Sequence, residues 1–112
     1  MNSTALMLPV LPNKREQLFA FANALTGERK DEYVASQATV TAETWYLQPT
    51  PMGDFLIVHF EAPDPGGVLG ALAESTEPFD VWFRQQAQEI TGIDFSKPTG
   101  PMAEKIFEYR KS

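Results

Sequence analysis

The chain of 112 residues carries nine lysines and arginines against fifteen aspartates and glutamates, a formal charge of −6, with 43% hydrophobic and 12% aromatic residues. Such a length and composition support one globular domain, residues 1–112, with its own core, and exclude disorder as the main state. A pI near 4.6 excludes a phosphate-neutralising basic face, hence nucleic acid or an anionic membrane as partner, and zero cysteines with one histidine exclude disulfides, thiol catalysis and a Cys-ligated or His-paired metal site.

Ala5 to Leu11 is apolar at almost every position and reads as a buried strand, with Pro9 forcing a bulge or an unpaired position. This stretch is short, is broken by Pro9 and Pro12 and lacks a preceding basic region, so neither a signal peptide nor a membrane span is expected, and the expected location is cytoplasmic. Pro12 and Asn13 open a helix, with Asn13 as cap, Glu16 at capping-box spacing, and Leu18, Phe21, Ala22 and Leu25 on one face; Gly27 ends it. Glu28 to Glu32 is a charged turn and helix start running to about Gln37, expected as a solvated face.

Ala38 to Gln48 and Phe55 to Ala62 are rich in β-branched and aromatic residues and read as two strands. Pro49 to Gly53 between them reads as a five-residue hairpin loop with Gly53 at positive φ. Asp64 and Pro65 open a weak helix over Val68 to Ser75, and Glu77 with Pro78 open a stronger one to about Thr91. The stripe Phe79, Trp82, Phe83, Gln86 and Ile90 marks that helix's inner face, and Gly92 with Ile93 is its C-terminal cap. Met102 to Tyr109 then reads as a closing strand.

The order β-α-β-β-α-β is the α+β, ferredoxin-like pattern: a four-stranded antiparallel sheet with helices on one face. In the strand Phe55 to Ala62, Leu56, Val58, Phe60 and Ala62 should face the helices. Phe55, Ile57, His59 and Glu61 then lie on the open face, where two of the four are too apolar for water. A second copy covering that face, as a homodimer, is the expected solution.

The run Glu43-Thr44-Trp45-Tyr46-Leu47-Gln48-Pro49-Thr50-Pro51-Met52-Gly53-Asp54, with Pro78-Phe79-Asp80 leading into Trp82-Phe83-Arg84, resembles a small family of undetermined activity within the dimeric α/β-barrel superfamily. The resemblance implies a dimeric barrel. Its superfamily spans cofactor-independent monooxygenases, haem-degrading oxygenases, lactone isomerases, chlorite dismutases and ligand-sensing domains, so it does not fix an activity. Haem-degrading members carry the ligating histidine on a helix, whereas His59 lies in a strand, so haem is not implied and no cofactor is expected.

A five-residue loop pairs Gln48 with Asp54, which places Glu43 opposite His59, Trp45 opposite Ile57 and Leu47 opposite Phe55 on the open face. A carboxylate facing an imidazole can fix its tautomer and raise its pKa, as a general base near neutral pH requires. The same pair could equally be a mutually satisfied contact in a dimer interface. The candidate catalytic residues are therefore His59 and Glu43, with Trp45, Phe55 and Ile57 as walls and Tyr46 and Arg84 near the entrance of a pocket for a small hydrophobic ligand. Arg84, the only Lys or Arg between Lys30 and Lys97, could bind a carboxylate or enolate oxygen, or pair with Asp80 one turn back. Three readings stand: a ligand-binding dimer, a cofactor-free monooxygenase or isomerase with His59 as base, and a structural dimer. No calcium loop and no phosphate-binding glycine loop is present, and no metal site is expected.

Overall fold

Apolar side chains at alternate positions of β3 (Gly53–Ala62) build the floor of the core. Leu56, Val58, Phe60 and Ala62 are all buried, while Phe55, Ile57, His59 and Glu61 are only half-buried on the other face. The computed structural model describes residues 2–98 and 100–111. β3 is central: β1 (Asn2–Pro9) and β2 (Ala42–Thr50) pair with it antiparallel, in the order β1-β3-β2. Both outer strands end in a proline-containing stretch, Pro9 in β1 and Pro49 in β2, where an edge tolerates the missing N–H.

Among the described residues there are four helices: α1 (Arg15–Thr26), α2 (Lys30–Ser36), α3 (Pro65–Glu74) and α4 (Pro78–Thr91). Leu18, Phe21 and Leu25 of α1, with Phe79, Ala87 and Ile90 of α4, meet Leu8, Leu56, Val58 and Phe60 of the sheet in one core. Phe21 is its hub, with ring centroids 5.4 Å from Trp45, 5.4 Å from Trp82 and 5.0 Å from Phe83. Trp82, Phe79 and Phe83 thus belong to the core, and Arg29 stacks over Trp82 at 4.1 Å.

The helix signals at Asp64-Pro65 and Glu77-Pro78 hold. Asp64 Oδ1 accepts from Gly67 N at 3.2 Å, and a Cβ at Gly67 would sit 2.5 Å from Asp64 Oδ2, so this cap needs the glycine. Gly92 ends α4 in the left-handed region, φ 78°. At α1 the expected cap is displaced: Asn13 itself is left-handed, φ 66°, and Lys14 occupies the cap position without a side-chain hydrogen bond.

Two expectations fail. The ferredoxin-like four-stranded sheet is not formed: among the described residues the sheet has three strands, and residues 101–111 hold no regular structure. Met102 and Ile106 share one parity while Phe107 and Tyr109 share the other, so pairing as a strand would leave one apolar set in water whichever way it faced. Ile106, Phe107 and Tyr109 stay 91%, 71% and 77% exposed. The segment is tethered by Thr4 Oγ1 donating to the Ala103 carbonyl at 3.5 Å and by Arg110 Nη2 at 3.5 Å from Glu61 Oε1.

The second failure is the hairpin register. Pro49 pairs with Asp54 and Thr50 with Gly53, so the loop is the two residues Pro51 and Met52, not five. Thr50 Oγ1 accepts from Met52 N at 3.1 Å and donates to the Gly53 carbonyl at 2.6 Å, and Gly53 takes the expected positive φ, 121°. Pro51 presets the first corner position, which lets the strand run two residues further than its prolines suggest. A one-residue shift sends every β2 side chain to the other face.

Candidate functional site

With this register β2 turns Glu43, Trp45 and Leu47 toward the helices and Thr44, Tyr46 and Gln48 away. Glu43 pairs with Phe60 and Trp45 with Val58, both on the helix side. His59 lies on the open face between Ala5 and Thr44. The expected Glu43 to His59 pair therefore does not exist: the two side chains project from opposite faces of the sheet. Phe55, Ile57 and Tyr46 also lie on the open face, in rows with Pro9, Met7 and Gln48.

Glu43 instead receives two donors. Tyr33 Oη donates to its Oε1 at 2.8 Å and Trp45 Nε1 to its Oε2 at 2.6 Å. Burial, and secondarily the charge of Glu43 and the hydrogen bond to it, push the Tyr33 phenol far above its ordinary range, so it stays protonated as the donor. The carboxylate stands in the wall of a cavity of about 70 Å³ between the layers. Leu6, Leu8, Leu56 and Val58 line the sheet side, Leu18, Phe21, Leu72 and Ala87 the helix side, and Gln37, Glu43 and Thr91 are the polar members. Thr91 Oγ1 spends its proton on the Ala87 carbonyl at 2.7 Å.

Arg84 binds neither Asp80 nor an exposed oxygen of the cavity. Its Nη1 donates to the carbonyls of Leu72, 2.6 Å, and Ser75, 2.8 Å, fastening the end of α3 to α4. Asp80 accepts from the hydroxyls of Ser36 and Ser75. Of the seven expected site residues, the structure brings only Glu43 and Trp45 to the cavity. His59 borders a separate groove of about 360 Å³ between the open face and the C-terminal segment, shared with Glu61, Phe107 and Arg110.

Tyr33, Gln37 and Leu72 were missed. The signal for Tyr33 was available: it is the one aromatic in an otherwise polar helix start, a position that a solvated face does not explain. Among the described residues no group of three His, Cys, Asp or Glu could hold a metal ion, and no helix is long and apolar enough to cross a membrane. No family model, curated protein or solved structure matches the chain.

Proposed function

We propose that the protein binds a small, mostly apolar molecule bearing a hydrogen-bond donor in the cavity between sheet and helices, with Glu43 as polar anchor. One observation carries this reading: a carboxylate, positioned by two protein donors, stands in the wall of a mostly apolar cavity. Each carboxylate oxygen accepts one of those bonds and keeps a lone pair for a guest. The base role of His59 has no support in this geometry, because Glu43 is on the other face.

The binding unit is a homodimer joined through the open sheet face. The strands of that face present Met7, Phe55, Ile57, Tyr46 and Gln48, with Glu61 at one end, beside Arg110 of the C-terminal segment. Loss of charge with enrichment in aromatics and Met is the composition of an interface centre. Three strands about 4.8 Å apart and four residue pairs about 6.8 Å apart span only about 400 Å² in plan. A stable dimer needs about 800 Å² per partner, so the exposed Ile106, Phe107 and Tyr109 supply the remainder.

Thermal unfolding with isobutanol and cyclopentanol as probes tests the ligand reading. Wild type should be stabilised, by about 2.7 kcal/mol at one hundred times Kd, and Ala87→Leu, which fills the void, should be more stable than wild type and blind to both probes. Equal response in the two proteins, or none in wild type, refutes it.

A further inference from the structure

A second recess adjoins the cavity. It holds about 430 Å³ among α2, α3 and the start of α4, and Gln37, Val68 and Leu72 line both spaces, so the two are neighbours across three shared side chains. The chemistry of its wall differs from the cavity's. Asp80, 8% exposed, is the most deeply buried charged side chain among the described residues and lines the recess in the first turn of α4.

No lysine or arginine pairs with Asp80 among the described residues. Arg84, the only cation of α4, is spent on the carbonyls of Leu72 and Ser75. Ser36 and Ser75 each give their one hydroxyl proton to Asp80, so toward the recess they offer only lone pairs. Ser75 already accepts from Glu77 N at 3.2 Å, which leaves Ser36 the freer acceptor. The Asp80 end of the wall thus presents oxygen acceptors and a carboxylate whose hydrogen bonds come from neutral hydroxyls, while Gln37 and Thr39 lie further along the same wall. A guest that complements it brings donors and positive charge.

We propose that the recess seats the ammonium group of the same ligand whose apolar part, with a hydroxyl for Glu43, fills the cavity, so that the ligand class is a small amino alcohol. The inference rests on the reading of the cavity as a binding site and adds the charge of the ligand. α2 couples the two halves: Tyr33 holds Glu43 of the cavity, and Ser36, one turn further on the same helix, holds Asp80 of the recess.

The test is calorimetric titration of the intact protein with a matched series that keeps a hydroxyl for Glu43, 5-aminopentan-1-ol as the amine, 1,5-pentanediol as the alcohol and 5-hydroxypentanoate as the carboxylate, at pH 7. Wild type should bind the amine at least tenfold tighter than the alcohol and should reject the carboxylate. Asp80→Asn should bring the amine down to the affinity of the alcohol. Because Asp80→Asn also disturbs two serine bonds, Ala71→Lys is the second variant: Ala71 is an exposed α3 residue on the recess wall, so a lysine there adds a competing cation without touching Asp80. It should remove the preference for amine at unchanged melting temperature. Alcohol binding without a preference for amine, or a preference that survives Ala71→Lys, overturns this inference and leaves the cavity reading standing. Binding of none of the three overturns both.

Discussion

Replacing Tyr33 by Phe removes one hydroxyl and keeps the ring, so it isolates the bond that positions Glu43. The bond is 2.8 Å from a half-buried phenol to a half-buried carboxylate. Hydrogen bonds to charged groups contribute about 1.5–3 kcal/mol. The lower end applies here, because Glu43 keeps the Trp45 donor at 2.6 Å. A loss of about 1.5 kcal/mol corresponds to roughly 6 °C in Tm for a chain of this size. The pH dependence carries the second signature. Tyr33 has its folded pKa raised above the ordinary value of 10.0, so its contribution is fully present below pH 10 and is lost as pH climbs above that value, where the unfolded chain ionises and the folded one does not. Urea titrations followed by circular dichroism, at pH 7 and at steps above pH 10, should show wild type ahead of Tyr33→Phe at neutrality and the gap closing in alkali. A difference below about 0.3 kcal/mol at pH 7, or parallel curves above pH 10, refutes the account of Glu43.

Gly92→Ala should cost about 1 kcal/mol, measured by urea unfolding, since φ is 78° while the added methyl meets Leu11 only at an ordinary 3.5 Å. Arg15→Ala breaks a two-bond pair with Asp54, 2.9 Å each, but the arginine is half exposed, so a loss below about 1 kcal/mol that shrinks in 0.5 M salt is expected. Ile57→Asp places a charge at the middle of the open face, away from the core; sedimentation equilibrium should show a dimer for wild type and a folded monomer for the variant. A variant that stays dimeric would remove the sheet-face interface.

The alternation of β3 is legible because four apolar residues at even spacing allow only one buried face, and the helix starts are legible because Asp64-Pro65 and Glu77-Pro78 are local chemical signals. The register of β2 is not legible from the loop alone. Proline reads as a breaker, yet β2 is an edge strand and keeps Pro49, so the loop shortens from five residues to two. The pattern of β2 itself outweighs the loop: Trp45 and Leu47 alternate with Thr44, Tyr46 and Gln48, and the more apolar pair belongs inside. Apolar content alone makes Met102 to Tyr109 resemble a strand, and parity is what denies it a single face. The Tyr33 and Trp45 bonds to Glu43 depend on that register and on the docking of α2, neither of which a local window contains.

Methyl-resolved NMR during titration with isobutanol locates the guest directly. Shift changes should concentrate on Leu6, Val68, Leu69 and Leu72, which line the cavity, and Glu43→Gln should weaken binding while keeping the same set of methyls. Changes centred instead on Ile57 and Met7 of the open face, or saturable binding unaffected by Glu43→Gln, would contradict a cavity anchored by Glu43.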